Sequence, residues 1–121
     1  MSFYRETHVK AVRKSRPCIG CGRMIEVGSP ALDASAHYEG DFWAATYHVE
    51  CRAAETAIND LHEVYSGEWM ALSDIEHDDW DWLIAEHPVV AARMGITAER
   101  SQEAKDRWAR YYSAARQGGD A

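Results

Sequence analysis

Three cysteines and one histidine form two closely spaced pairs in the first half of the chain. Cys18 and Cys21 are separated by two residues, and His48 and Cys51 repeat that spacing after a gap of 26 residues. All 3 cysteines of the chain belong to this pattern. Three thiolates and one imidazole are a standard tetrahedral ligand set for structural zinc. The sequence therefore predicts that these four residues bind one Zn²⁺ ion.

The fourth ligand can be assigned in two ways. His48 is favoured because H-x2-C at the start of a helix mirrors the C-x2-C pair, and His37 is the alternative because it belongs to the predicted hairpin, which could bring it to the site. With four protein ligands, the ion has no open coordination position, so we expect it to be structural and not catalytic. Some zinc-binding folds of this kind host nucleases with a catalytic histidine near the hairpin, where His37 is the candidate. No Asn or second histidine follows it at a useful spacing, and we expect no enzyme activity.

The number of cysteines and the hydrophobicity of the chain predict the cellular compartment in which the protein is found. Three cysteines cannot all pair with one another, so a reducing compartment and a metal site explain them better than a disulfide scaffold. No apolar run approaches the roughly 20 residues that cross a bilayer. The first ten residues, MSFYRETHVK, lack the apolar segment of a signal peptide. We expect a cytoplasmic protein without a membrane partner.

The net charge of −7 is distributed unevenly along the chain. Residues 1–23 carry a net charge of +5, residues 24–92 carry −14, and residues 93–121 carry +2. A uniformly basic nucleic-acid-binding protein would not show this pattern. An acidic surface repels nucleic acid and attracts basic proteins. The charge therefore favours a protein partner, although a basic segment can still contact phosphate locally.

The first half of the chain shows the elements that would hold the metal ligands. Residues 3–16 are predicted to form an extended arm or a first strand, and a glycine-containing turn follows between the first two cysteines. Alternating apolar residues over 32–38 and an aromatic-rich segment over 42–47 predict a hairpin that turns at residues 39–41. A helix is predicted over 48–65, with an apolar stripe formed by Ala54, Ile58, Leu61 and Tyr65. Gly67 is its expected stop.

Three further helices are predicted in the second half. The first begins near Ser73, where Ser73 and Glu76 fit a capping box, and its inward residues are expected to be Ile75, Trp82 and Leu83. Pro88 ends this helix and opens a short one that Gly95 closes. Thr97 is the expected N-cap of a last helix over 98–116 that ends at Gly118–Gly119. Its expected buried stripe consists of Ala104, Trp108, Tyr111 and Ala115.

Together these elements predict an α+β fold in a single domain, 1–121. Its zinc-finger half spans 10–66 and its helical half spans 67–117. The order of turn, hairpin and ligand-bearing helix is that of a treble-clef zinc finger, followed by two or three C-terminal helices.

The ligand-bearing segments also resemble a known class of proteins. RPCIGCGRMIEVGSPAL followed by YEGDFWAATYHVEC resembles the treble-clef fingers of small phage and prophage proteins. The C-x2-C…H-x2-C order is similar to the zinc finger of poly(ADP-ribose) polymerases, which recognises DNA breaks. The resemblance covers about residues 10–65, and GEWMAL and DDWDWLIAEHPVVAARMG loosely resemble the acidic helical tails of the phage proteins. It implies a phage-encoded protein in the cytoplasm of the host cell.

Two charged clusters are candidate binding residues. An acidic run with a tryptophan at its centre could imitate a phosphate backbone and occupy a basic groove of a host-defence complex; it consists of Asp74, Asp78, Asp79, Trp80 and Asp81. The resemblance to phage proteins makes an anti-CRISPR-like inhibitor one concrete form of this function. The alternative is a DNA- or RNA-binding accessory zinc finger that uses the basic N-terminal arm, Lys10, Arg13, Lys14 and Arg16.

Overall fold

The computed structural model describes residues 3–38, 40–64 and 69–119, which form a mixed α+β structure. The α+β class predicted from the sequence is therefore confirmed. The chain separates into two compact units, Met1–Ile75 and Glu76–Ala121. The predicted single domain and its division at residues 66 and 67 stay predictions, and both of those residues lie outside the described residues.

Five strands and one helix make up most of the first unit. The strands are β1 Phe3–Val9, β2 Arg16–Pro17, β3 Met24–Ile25, β4 Ala31–Tyr38 and β5 Asp41–Tyr47. β1, β4 and β5 form an antiparallel sheet with β4 in the centre. This confirms both the predicted first strand and the predicted hairpin. Gly40 has a φ of +88°, which explains why a glycine stands in the hairpin turn.

The two short strands β2 and β3 pair with each other and enclose a compact turn that contains Cys18 and Cys21. Arg16 pairs with Ile25, and Pro17 pairs with Met24. Inside this ladder, the backbone N–H of Cys18 donates to the carbonyl of Arg23 at 2.9 Å. The chain can reverse this sharply because Gly22 has a φ of +79°.

The helix α1, Val49–Leu61, follows β5 directly and ends earlier than predicted. Ala54 and Ile58 of the expected stripe are buried, but Leu61 is half exposed, so its assignment to the core is wrong. The helix ends at Leu61 because the next turn tightens: the N–H of Glu63, which has a φ of +55°, bonds to the carbonyl of Asp60. The predicted last stripe residue and the predicted stop, Tyr65 and Gly67, lie outside the described residues.

A buried asparagine fastens the segment after α1 back onto the helix. Asn59 is fully buried, and its side-chain amide donates to the carbonyl of Met70 at 2.9 Å. Its side-chain oxygen accepts from the N–H of Met70 at 2.8 Å. These two bonds copy the pairing of neighbouring strands, and they place Leu72 in the core of the first unit.

The helix predicted to begin near Ser73 begins only at Trp80, and 3₁₀ turns stand in place of its first turns. One turn, Leu72–Asp74, closes the first unit, and a second, His77–Asp79, opens the second unit. The residues between the turns have extended backbone, with ψ angles of 132° at Ile75 and 160° at Glu76. The expected capping box is absent because Ser73 lies inside the first turn, whose N-cap is Ala71.

The second unit consists of three helices, α2 Trp80–Glu86, α3 Pro88–Arg93 and α4 Ala98–Gly119. Pro88 stands in the first turn of α3, and Gly95 follows that helix with a φ of +69°, as predicted. Leu83 is fully buried and forms the core of this unit with Val90, Ala91 and Ile96. In the part of the chain that the structure describes, no helix has an apolar stretch long enough to span a bilayer.

The buried stripe predicted for α4 is wrong. Trp108 is 41% exposed, and Tyr111 is 63% exposed. Among the residues of this helix whose burial the structure describes, the buried one is instead Ser101, whose hydroxyl donates to Asp81 of α2 at 2.6 Å. α4 therefore packs on its unit through its first turns, and the Trp108 ring stacks on His77 at a centroid distance of 5.3 Å.

Thr97 caps α4, as the sequence predicts. Its hydroxyl accepts a hydrogen bond from the N–H of Arg100 at 3.1 Å. We expect Thr97→Ala to lower the free energy of unfolding of the second unit by about 1 kcal/mol, because a helix N–H loses its acceptor. Urea denaturation followed by circular dichroism measures this change. Thr97→Ser, which keeps the hydroxyl, should recover most of the loss.

Candidate metal centre

The four predicted metal ligands converge because two turns face each other. Cys18 and Cys21 lie in the turn between β2 and β3. His48 follows the last residue of β5 and is the N-cap of α1, with a non-helical ψ of 144°. Cys51 lies in the first helical turn, and its N–H donates to the carbonyl of His48 at 3.1 Å. The backbone thus brings two pairs that are distant in sequence to one place.

The distances between the ligand atoms suit one tetrahedral ion. Nδ1 of His48 lies 3.4 Å from Sγ of Cys21 and 3.7 Å from Sγ of Cys51. Zinc bond lengths require a sulfur–nitrogen separation of about 3.6 Å and a sulfur–sulfur separation of about 3.8 Å in a tetrahedron. All four ligand atoms lie within 4.8 Å of one another. Movements of about 1 Å or less would therefore complete the coordination sphere.

Backbone N–H groups point at two of the sulfur atoms. The N–H of His48 donates to Sγ of Cys18 at 3.2 Å, and the N–H of Arg23 donates to Sγ of Cys21 at 3.4 Å. A hydrogen bond from the Cys51 thiol and backbone N–H groups, including that of His48, lower the pKa of Cys18 to about 4, although burial opposes the shift. The cluster therefore holds a thiolate at neutral pH, which is the form that binds metal.

The pKa of the second cysteine of the turn shifts in the opposite direction. Burial raises the pKa of Cys21, and the neighbouring charge of Cys18 adds to the effect. Of these two cysteines, Cys18 is therefore the thiolate at neutral pH, and Cys21 keeps its proton. A bound divalent cation changes the protonation of the cysteines, because it favours the deprotonated form of each thiol that coordinates it. The donor set fits zinc for this reason.

Most of the cluster is shielded from solvent. Cys18, His48 and Cys51 are buried, and Cys21 is partly exposed. Gly20 lies against the cluster, and a Cβ atom at this position would stand 3.1 Å from Cβ of Cys51. A closed site with four protein ligands is typical of structural zinc, whereas catalytic zinc keeps an open position.

The close approach at Gly20 leads to a prediction. We expect Gly20→Ala to destabilise the first unit by about 1–3 kcal/mol, because the added methyl also meets the side chains of Leu72 and Tyr47 at 3.3 Å. Thermal unfolding of the zinc-loaded protein measures the effect. Gly28→Ala is an informative control, since its Cβ meets nothing within 4 Å but its φ is +89°. It reports the cost of backbone strain alone.

His37, the alternative fourth ligand, is not part of the cluster. It lies on β4 opposite Phe42, whereas His48 follows the far end of β5. Six residues of strand separate these two levels, which is about 20 Å. The assignment of His37 as the fourth metal ligand is therefore wrong. In a nuclease that used His37 as its catalytic residue, the same distance would separate this residue from the metal centre.

The acidic run does not form one helical face. Asp74 belongs to the 3₁₀ turn of the first unit, and Asp78 and Asp79 belong to the turn that opens the second. Asp81 accepts hydrogen bonds from Lys105 and Ser101, which lower its pKa. Trp80 also has a neighbour within its own unit, because the Arg100 guanidinium lies 5.1 Å from its ring centre.

The basic arm lies on the surface of the first unit. Its four residues, Lys10, Arg13, Lys14 and Arg16, are all exposed. Arg16 lies 3.6 Å from the carboxylate of Asp33 on β4, and both side chains are largely solvated. A contact of this kind contributes little to stability.

The sequence analysis missed a buried network beside the metal centre. Glu55 of α1 is only 2% exposed, and its carboxylate accepts from Tyr47, Arg52, Trp69 and the backbone of Leu72. One signal was present in the sequence. Glu55 follows Cys51 by four residues and precedes Ile58 by three, so it occupies the buried face of the helix. A charged residue on that face predicts a buried ion pair.

Comparisons with known proteins found no match, so the functional interpretation depends on the geometry of the cluster. No protein-family model, curated protein or solved structure matches this chain. The findings that bear on its function are therefore the mixed α+β fold and a cluster of three cysteines and one histidine that could hold a metal ion.

Proposed function

We propose that the protein is a non-enzymatic binding module stabilised by one structural Zn²⁺ ion in a treble-clef finger. The observation that carries this proposal is the convergence of Cys18, Cys21, His48 and Cys51 within 4.8 Å. The order of the elements supports the treble clef: a β2–β3 turn supplies two ligands, a hairpin follows, and the start of α1 supplies the other two. The zinc would join a turn to a helix.

Metal content and cobalt substitution test the zinc site. Elemental analysis of the purified protein should find one zinc ion per chain. Replacement by Co²⁺ should give the intense visible absorption of a tetrahedral thiolate-rich site. His48→Ala should alter that spectrum, and His37→Ala should leave it unchanged. A protein that binds no metal, or a spectrum that His37→Ala changes and His48→Ala does not, would contradict the assignment.

We further propose that the acidic surface binds a basic protein partner. The charge of −14 over residues 24–92 supports this choice, and Asp78 contributes a carboxylate that is 77% exposed. Inhibition of a nucleic-acid-binding host-defence complex by a phage-encoded protein is the specific form of the proposal, and it follows from the resemblance of the sequence. The site would lie in the second unit and consist of Asp78, Asp79, Trp80 and Asp81; Asp74 belongs to the first unit and is not part of it.

Competition with nucleic acid tests this form. Host proteins retained by the immobilised zinc-loaded protein should be released by DNA or RNA, because both ligands would occupy one basic groove. The double variant Asp78→Asn/Asp79→Asn should retain less of these proteins, whereas Asp60→Asn on α1 should not. Asp81 is kept, since it bonds within its own unit. Retention that neither nucleic acid nor the double variant reduces would rule the mimicry out.

Binding of DNA or RNA by the basic arm is the second candidate function. It is favoured by one observation, the exposure of Lys10, Arg13, Lys14 and Arg16 on one segment of the first unit. Binding through four phosphate contacts would weaken steeply with salt, with a slope of about −4 in log K against log salt for duplex DNA. Replacing Lys10 and Arg13 with alanine should reduce that slope by about 2. An affinity that does not change with salt would exclude this function.

A further inference from the structure

An open cavity lies in the first unit, between one face of the three-stranded sheet and α1. Its volume is about 540 Å³, which is in the range of small-molecule sites. Four aromatic side chains line it, together with one buried ion pair. These residues are Tyr4, Trp43, Tyr47, Trp69, Arg52 and Glu55.

The guanidinium of Arg52 lies among three of the aromatic rings. Its central carbon is 5.5 Å from the ring centre of Tyr4, 5.2 Å from that of Tyr47 and 5.1 Å from that of Trp69. These are cation–π distances. The cationic position of this aromatic cage is therefore filled by the chain itself, which disfavours a cationic ligand.

The charges of the cavity balance each other. Arg52 donates to Glu55 at 2.9 Å and to Glu6, outside the cavity lining, at 2.8 Å. The lining thus carries one positive and one negative group, and an anionic ligand would meet a guanidinium that two carboxylates already neutralise. A ligand that enters this cavity should be uncharged where it contacts these groups.

The polar groups of the cavity have hydrogen-bonding capacity left. A guanidinium has five N–H donors, and Arg52 uses three of them on Glu6, Glu55 and Tyr4 among the described residues. Oε2 of Glu55 accepts from the N–H of Leu72 at 3.2 Å, and a carboxylate oxygen can accept a second bond. An uncharged ligand that both accepts and donates along one edge would complement this pair.

The aromatic walls are open to solvent at the mouth of the cavity. Trp43 is 40% exposed, Trp69 is 45% exposed, and Tyr4 is 51% exposed. Exposed aromatic rings around a cavity provide flat surfaces on which another ring can stack. A phenylalanine side chain could stack but would leave the polar edge unpaired, whereas a nucleobase carries both a flat ring and an edge of donors and acceptors.

We propose that this cavity binds one nucleobase, stacked on the exposed indoles of Trp43 and Trp69, with its polar edge towards Arg52 and Glu55. The base can come from a free nucleoside or from a single strand. Such a site needs neither the acidic run nor the basic arm. The helix α1 contributes residues both to this cavity and to the metal centre, so binding to the cavity should be measured on the zinc-loaded chain.

Nucleoside titrations followed by nuclear magnetic resonance test the site. Guanosine, adenosine, cytidine and uridine are added to the zinc-loaded protein, and the indole N–H resonances of the 5 tryptophans are recorded. At least one nucleoside should shift the resonances of Trp43 and Trp69 in a saturable manner. The resonance of Trp108, which belongs to the second unit, should not move.

Variants of Trp43 separate stacking from folding. Trp43→Ala should weaken the affinity about tenfold or more, since base–aromatic stacking contributes about 1–3 kcal/mol per base. Trp43→Tyr keeps a ring and should bind within a few-fold of the unchanged chain. Trp108→Ala is the matched control and should bind normally. Zinc content and melting temperature confirm that each variant is folded before it is titrated.

A short single-stranded homopolymer of the best nucleoside identifies the source of the base. If the base comes from a strand, the homopolymer should bind more tightly than the nucleoside, with an affinity that falls as salt is added. If it comes from a free nucleoside, the nucleoside alone should bind, without salt dependence. Two results would overturn the proposal: no nucleoside shifts Trp43 and Trp69, or N-acetyltyrosinamide saturates these resonances at lower concentration than every nucleoside.

Discussion

Cys51→Ser is expected to unfold the first unit of the protein. Cys51 is fully buried and comes from α1, so its loss would disconnect the helix from the turn that carries Cys18 and Cys21. Binding of structural zinc contributes on the order of 10 kcal/mol at neutral pH, which exceeds the net stability of many small domains. Serine cannot replace the thiolate as a soft ligand. Circular dichroism and zinc analysis of the variant should show loss of both sheet signal and metal.

A matched substitution on the same helix provides the control for this prediction. Ala53→Ser adds a hydroxyl at an exposed position two residues away, and it should leave both zinc content and melting temperature nearly unchanged. Treatment of the unchanged protein with a chelator should reproduce the effect of Cys51→Ser. If the variant melts at the same temperature as the Ala53→Ser control, the cluster does not hold the fold together.

Acid should release the metal for a related reason. Protons compete with zinc for the three thiolates and the imidazole, so metal affinity falls as pH decreases. Hydrogen bonds from the Cys51 thiol and from backbone N–H groups lower the pKa of Cys18 to about 4, which favours the thiolate at neutral pH.

The metal centre was predictable from sequence because its signal is local. Two ligands separated by two residues are placed by a single turn, so the pairs at Cys18–Cys21 and His48–Cys51 can be recognised without knowledge of the fold. The choice of His48 over His37 also follows once the hairpin register is known, since His37 lies on β4 opposite the start of β5, whereas His48 follows the end of β5. The hairpin itself was predicted from period-two alternation, which depends on neighbouring residues only.

The errors concern features that depend on tertiary contacts. An i, i+4 pattern assigned Trp108 and Tyr111 to a core, but the contact of α4 with its unit is set by Ser101, whose hydroxyl bonds to Asp81. Propensity likewise favoured a helix from Ser73, where the chain instead forms two 3₁₀ turns separated by extended residues. The buried face of α4 is not encoded in the spacing of its apolar residues, because it depends on a polar partner 20 residues away.

Glu55→Leu is expected to be the most destabilising substitution outside the metal ligands. The carboxylate of Glu55 accepts hydrogen bonds from the hydroxyl of Tyr47 at 3.0 Å and from the indole N–H of Trp69 at 2.7 Å. Burial raises the pKa of Tyr47, so its hydroxyl stays protonated and able to donate. Leucine fills similar space but accepts nothing, and it leaves these donors and the Arg52 guanidinium unpaired. Removing one partner of a buried ion pair typically costs about 3–5 kcal/mol.

Two further variants test whether this cost arises from the unpaired charge. Asp60→Asn removes an exposed acid from the same helix and should change the free energy of unfolding by no more than about 0.5 kcal/mol. The double variant Arg52→Leu/Glu55→Leu should cost less than the sum of its single variants, because it leaves no buried charge without a partner. Urea denaturation of the zinc-loaded proteins gives these values. Additive costs, or a Glu55→Leu protein as stable as Asp60→Asn, would mean that the pair is not coupled. Since Arg52 and Glu55 lie one and four residues after Cys51, a coupled pair would hold the same turns of α1 that carry the metal ligand, so that metal and ion pair together fix one helix.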